Sequence, residues 1–160
     1  MPREADIETK RAQFVEEFGV LFEQSGGVRM LGRVIGLLTI AEPPERTAEQ
    51  LAAELQASRG SISQTTRQLV QMGLVQRFAK PGERRDYFRI KPNGWTAMMR
   101  GEIRLIASYR ELIGRGLALV DEGDGETRRN AEHAVRFFDY VDREYRRFMD
   151  AWDELEKARQ

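Results

Sequence analysis

Between Thr47 and Ile90 the chain reads TAEQLAAELQASRGSISQTTRQLVQMGLVQRFAKPGERRDYFRI, and this order of local signals leaves few folds open. Leu51, Ala52 and Leu55 recur at helical spacing after Thr47, whose hydroxyl suits a helix N-cap. Gln56-Ala57-Ser58 interrupts that pattern. Ser58 then caps a second helix, predicted from Arg59 to Met72, with Ile62, Thr65 or Thr66, and Leu69 turned inward. Gly73 ends it at the position after the C-cap, where a residue without a Cβ turns the chain most easily. Two short β-prone runs follow, Leu74–Phe78 and Tyr87–Ile90, separated by a turn around Pro81-Gly82. Two helices, a tight turn and a hairpin make a winged helix-turn-helix.

The outer face of the second helix carries no carboxylate. Arg59, Gly60, Ser63, Gln64 and Arg67 fall largely on it, in a chain with 26 acidic residues overall. Between Ser58 and Lys91 the net charge is +6, and the remainder of the chain carries −6. Charge concentrated this way suits a polyanion. Side chains of Ser, Gln and Arg donate to phosphates, and Gln and Arg also address base edges in a major groove. The candidate contacts on this helix are Ser58, Arg59, Gly60, Ser61, Ser63, Gln64 and Arg67. Ser61, Gln64 and Arg67 are assigned to bases, Arg59 and Ser63 mainly to phosphate, and Gly60 leaves room for close backbone approach. Lys80, Arg84 and Arg85 cluster near the hairpin tip, where a narrow minor groove would favour them.

The run LAAELQASRGSISQTTRQLVQMGLV followed by KPGERRDYF resembles the MarR-type winged helix-turn-helix transcriptional regulators, and KPGERRDYF looks most like their GbsR-like branch. Many wings of the family carry Asp-Arg-Arg where this chain has Glu83-Arg84-Arg85. Which of the two arginines would enter the groove is left open. The resemblance implies a mainly α fold with a small β-hairpin wing, flanked by dimerisation helices. It implies a sequence-specific, double-stranded DNA-binding regulator, a ligand-responsive repressor acting as a homodimer on a roughly palindromic operator. A small-molecule effector, choline-like in some relatives, would sit among rings such as Phe22, Trp95 and Tyr109. Core or dimer packing is the competing role for such rings. In another class stands a winged-helix adaptor that binds protein through the same basic face.

The flanks read as helix. One helix is expected from Asp6 to Glu23, with Phe14, Phe18 and Phe22 on one face. Another is expected from Arg29 to Ala41, apolar over most of its circumference and therefore buried. Its Gly32 and Gly36, four apart, permit close helix approach. After the turn at Pro92-Asn93-Gly94 a long helix is expected from Trp95 to Val120. A last one runs from Thr127 almost to the end. In it Ala134, Phe138, Val141, Tyr145, Phe148, Trp152 and Leu155 alternate steps of four and three, a heptad seam that needs a partner helix. By the family resemblance the seam and helix one join two copies, which assigns Phe14, Phe18, Phe138, Val141, Tyr145, Phe148 and Trp152 to dimerisation.

The 160 residues fit one domain: 1–41 as N-terminal helices, 42–92 as the winged helix-turn-helix, 93–160 as C-terminal dimerisation helices. There is no cysteine and a single histidine, His133. Disulfides, thiol redox sensing and a natural zinc ligand set are thereby excluded. The acidic run Asp121–Glu126 lacks the alternating ligands of a calcium loop. No catalytic constellation stands out, so no enzyme, metal or cofactor is expected. With no apolar run of membrane-spanning length and no signal peptide at its start, the chain is expected in the cytoplasm.

Overall fold

The computed structural model describes residues 4–120 and 125–159. The first four residues of the acidic run, Asp121 to Asp124, lie outside the described residues. The chain forms two compact units, the first reaching Met98 and the second beginning at Met99.

In the first unit, α1 (Glu4–Gln24) and α2 (Arg29–Thr39) precede a two-residue strand β1 (Arg46–Thr47), α3 (Ala48–Glu54), α4 (Arg59–Gln71) and the hairpin β2 (Val75–Ala79) and β3 (Asp86–Ile90). Helix α2 is the floor. Its Val34, Ile35 and Leu38 share one core with Leu51, Leu55, Ile62, Leu69, Leu74 and Phe88. Ile35, Leu51, Leu55, Ile62, Leu69 and Leu74 are sealed from solvent, and each contributes about 1.5–3 kcal/mol by leaving water. Helix α1 lies against α2 at its glycines. A Cβ on Gly36 would stand 3.0 Å from the Cβ of Phe18. Glu16 of α1 then accepts hydrogen bonds from Arg29 at 2.9 Å and Arg33 at 2.7 Å, so α1 and α2 are joined by packing and by charge.

Helix α3 opens with a complete capping box. The Thr47 hydroxyl accepts the Gln50 N–H at 3.2 Å, and the Gln50 side-chain oxygen accepts the Thr47 N–H at 2.8 Å. This satisfies two backbone donors that the first helical turn would otherwise leave unpaired. The expected hairpin gains a third strand. The sheet order is β1-β3-β2, with Arg46 opposite Phe88 and Thr47 opposite Tyr87. Direct β2–β3 pairing puts Arg77 opposite Phe88 and Phe78 opposite Tyr87. The hairpin therefore has an inner face of Val75, Arg77, Asp86, Phe88 and Ile90, and an outer face of Gln76, Phe78, Tyr87 and Arg89.

The second unit comprises α5 (Gly94–Leu117) from Met99 onward and α6 (Gly125–Lys157). The two helices run antiparallel. Arg100 donates to both oxygens of Asp153 at 2.7 Å, Arg110 pairs with Asp139, and the Tyr109 and Phe138 rings stack at 5.8 Å. Among the described residues of this unit, the one large hydrophobe that is buried is Met149, which lies outside the expected seam. Phe138, Val141 and Tyr145 are half-buried, whereas Phe148 is 60% and Trp152 37% exposed.

Candidate nucleic-acid interface

Helix α4 is fixed from both ends and from below. The Ser58 hydroxyl accepts the Ser61 N–H at 3.2 Å, so one oxygen lone pair of Ser58 is committed to capping. Thr66 is buried and donates to the Ile62 carbonyl at 2.9 Å. With Ile62, Thr65, Thr66 and Leu69 facing the core, Arg59, Gly60, Ser63, Gln64 and Arg67 are turned to solvent, as their spacing requires. Ser61, assigned to base contact, is half-buried. At Gly60 a Cβ would meet only the Ser58 hydroxyl, at 4.0 Å. Nothing inside the protein demands a glycine there.

The wing tip is ordered by its own carboxylates. The Tyr87 hydroxyl donates to Glu83, so Glu83 is held by a tyrosine and not by a neighbouring arginine. Lys80 donates to Glu45 at 2.7 Å, and its ammonium also lies 4.3 Å above the Tyr87 ring. That hydrogen bond from Lys80 pulls the Glu45 carboxyl below the usual range, and the same bond raises the Lys80 ammonium. Arg77 is engaged by Asp86 at 2.5 Å. Arg89 donates to Gln76 at 3.2 Å and lies over the Phe78 ring. Among the described residues, Arg59, Arg67, Arg84, Arg85 and Lys91 form no ion pair; all five are exposed.

Three of these five cations, Arg67, Arg84 and Arg85, line one opening. Between α4 and the inner face of the hairpin lies a cleft of about 430 Å³, lined by Ser63, Arg67, Arg77, Arg84 and Arg85 and, at its rim, Glu49. The Glu49 carboxyl is held below its usual range by its own backbone N–H and by the Thr47 hydroxyl, with the charges of Arg59 and Arg85 adding to the effect. The sequence had shown the basic residues but not this acid, which comes from α3 and reaches the cleft only through the fold. The Lys80 link to Glu45 was equally invisible, because it joins positions 35 residues apart. A concave basic surface between a helix and a finger presents donors at two levels, the arrangement needed to follow a phosphate backbone while side chains enter a groove.

The expected effector rings occupy separate surroundings. Phe22 packs against the core of the first unit, Trp95 is 42% exposed, and Tyr109 stacks on Phe138 in the second unit. Phe14 and Phe18, assigned to dimerisation, have ring centroids 5.1 Å apart, and Phe18 also packs on the first unit's core. His133 is exposed on α6. Among the described residues, no cluster of acids and histidine is placed to hold a metal, and no helix is long and apolar enough to cross a membrane.

Comparison with known proteins matches both parts of the chain. Residues 33–87 match the model of the MarR family. Residues 93–156 match a model described as MmpR5-like MarR family transcriptional regulator. The HTH-type transcriptional regulator MmpR5 of Mycobacterium tuberculosis (strain ATCC 25618 / H37Rv) is 40% identical over 121 residues, covering 75% of this chain and 73% of that protein. A crystal structure described as that of a transcriptional regulator superposes with a TM-score of 0.83 at 31% identity, over 91% of this chain and 99% of the other.

Proposed function

The chain belongs to the MarR family of winged-helix transcriptional regulators, DNA-binding proteins and not enzymes, and from that premise we propose that it is a homodimeric, ligand-responsive repressor. Helix α4 enters a major groove with Gln64 and Arg67 toward base edges and Arg59 and Ser63 toward phosphate. Arg84 and Arg85 follow the adjoining minor groove. The observation that carries this reading is the convergence of Arg67, Arg84 and Arg85 on a single cleft while Arg77 and Lys80 are engaged within the protein. Two copies related by a two-fold axis would read a roughly palindromic site, with half-sites about 10 bp apart.

The homodimer is supported by what the second unit leaves uncovered. Leu112, Phe137, Tyr140 and Phe148 are all more than half exposed. Rings and aliphatic groups at that density on a helical pair are an interaction surface awaiting a partner. The wing run from Lys80 to Phe88 is what supports a GbsR-like placement within the family, whereas the MmpR5-like match over residues 93–156 and the 121 residues aligned with MmpR5 itself, more than the helical region contains, favour an MmpR5-like one. Action on DNA supports the cytoplasm as its proposed location.

Mobility shift on genomic fragments with a salt series tests the reading. A regulator retains a small set of fragments, with affinity falling steeply as salt rises. An adaptor that uses the basic face for protein would show only weak, sequence-blind retention. Calorimetric titration with choline and with glycine betaine tests the effector. Absence of heat, and of any change in DNA affinity, rejects that chemistry.

A further inference from the structure

The outer face of the wing is an unbroken stack with a cation at each end. The Phe78 and Tyr87 rings lie 5.8 Å apart at 29°. The Arg89 guanidinium sits 4.7 Å from the centre of the Phe78 ring, and the Lys80 ammonium 4.3 Å from that of Tyr87. Lys80 then leaves the hairpin altogether and donates to Glu45, whose side chain is only 15% exposed. The backbone around Glu45 is itself fastened. Arg46 donates to the carbonyls of Pro43 and Glu45 at 2.6 and 2.9 Å and to the Glu54 carboxylate of α3 at 2.7 Å. A continuous chain of contacts thus runs from the wing tip through Lys80 and Glu45 to α3, the helix that packs beside α4.

We propose that Glu45 and Lys80 form a positioning pair that sets the wing at a fixed distance from α4, so that Lys80 aligns Arg84 and Arg85 without itself touching DNA. The inference rests on the cleft between α4 and the wing being the DNA site. Beyond Ala79 and Asp86 the hairpin has no ladder bonds, and its tip is a turn closed by the Glu83 N–H on the Lys80 carbonyl at 3.1 Å. Without a tether such a tip samples many orientations, and ordering it on DNA would cost affinity. A lysine already paired with a carboxylate contributes no net charge to the release of counterions from DNA, whereas an unpaired one does.

The two possible roles of Lys80 make opposite demands on Glu45. If Lys80 were a phosphate contact, Glu45→Gln would free it and remove a repelling charge, and binding would tighten. If the pair is a strut, Glu45→Gln weakens binding. The experiment uses the full chain and a duplex enriched from random-sequence DNA by the wild-type protein. Expected are Glu45→Gln and Lys80→Gln each binding about two- to fivefold more weakly, the double variant no weaker than the poorer single one, and Lys80→Arg, which keeps the pair, within about twofold of wild type. The salt slope should stay unchanged in Lys80→Gln. Tighter binding by Glu45→Gln, or a salt slope reduced by about 0.9 in Lys80→Gln, overturns the proposal. Amide hydrogen exchange in the DNA-free protein gives a second measure: residues 82–87 should exchange faster in both glutamine variants, and unchanged rates overturn the strut. If wild type enriches no duplex, the DNA-site reading fails, and the exchange measurement still decides the pair.

Discussion

The carbonyl oxygen of Phe18 stands 2.1 Å from the point that a Cβ on Gly32 would occupy. No side chain fits there, and the obstacle is backbone, which cannot rotate away. Gly32→Ala must therefore push α1 off α2, opening the contact that also carries Gly36 and the Glu16 ion pairs. Overpacking costs about 1–3 kcal/mol even where neighbours yield, so a loss of about 3 kcal/mol or more is expected here. Urea unfolding followed by circular dichroism checks it; a midpoint equal to wild type would mean that the helices are not in this contact.

Gly60→Ala should do the reverse, sparing the fold and damaging DNA binding. Its Cβ has open space inside the protein, and alanine is the better helix former by about 0.5–1 kcal/mol. Toward DNA the added methyl would occupy the space through which the first turn of α4 approaches the backbone. A methyl forced into a close-packed contact costs about 1–3 kcal/mol, or about 5- to 150-fold in affinity. Thermal unfolding and anisotropy on the same sample separate the two effects. Unchanged affinity would place the start of α4 away from the duplex.

Replacing Arg84 or Arg85 with Ala should weaken DNA binding and lower the salt slope by about 0.9 for each phosphate contact removed. Neither arginine is engaged by a carboxylate among the described residues, so no internal pair is broken and stability should hold within about 0.5 kcal/mol. Arg77→Ala is the contrast. It strands Asp86 beside the cleft, adding negative charge where DNA would lie. Anisotropy titrations at several salt concentrations check all three variants. Wild-type affinity and slope in both Arg84→Ala and Arg85→Ala would remove the wing from the interface.

Local signals were sufficient wherever a residue's role is set within one or two turns. The Ser58 cap, the inward Ile62 and Leu69, and Gly73 with its positive φ of 78° all follow from spacing and capping chemistry. The two-residue β1 has no period to detect, and it exists only because β3 supplies its partner. Glu49 and Glu45 gained their roles through folding, since the cations that meet them, Arg59 and Arg85 for the one and Lys80 for the other, lie on other elements. In α6 the alternating four–three steps placed Phe148 on the seam, yet Met149 is the residue that is buried. A helix turns every 3.6 residues, so a heptad stripe drifts, and Met149, four after Tyr145, keeps to the face that packs on α5.

Acid should loosen the pairing of α1 with α2. Glu16 is held below the usual carboxylate range, chiefly by its hydrogen bond from Arg29 and further by Arg33, with burial opposing. A carboxyl whose value is lower in the folded than in the unfolded chain adds stability that is complete above the unfolded value. That contribution drains away as pH falls through the usual carboxylate range toward the lower folded value. Glu16→Gln removes this dependence. Its unfolding midpoint should lie below wild type at neutral pH, and the gap should close as the pH is lowered past the carboxylate range. A gap that persists at acid pH would mean that charge at Glu16 contributes nothing to the joint.

Phe148→Asp should separate two copies without unfolding one. The side chain is 60% exposed within a single chain, and a substitution at such a position ordinarily shifts stability by no more than about 0.5 kcal/mol. If a second chain covers that face, a buried unpaired carboxylate becomes costly, and association should fall steeply. Stability then becomes linked to concentration, because a dimer is stabilised by mass action and a monomer is not. Sedimentation velocity over a concentration series should show wild type as a dimer and Phe148→Asp shifted toward monomer, with the helical circular dichroism signal of both alike at high concentration. DNA affinity should fall with dimer content, since two half-sites bind one dimer more tightly than two independent monomers. A variant that stays dimeric and binds DNA as wild type does would mean that Phe148 faces solvent in the assembled regulator.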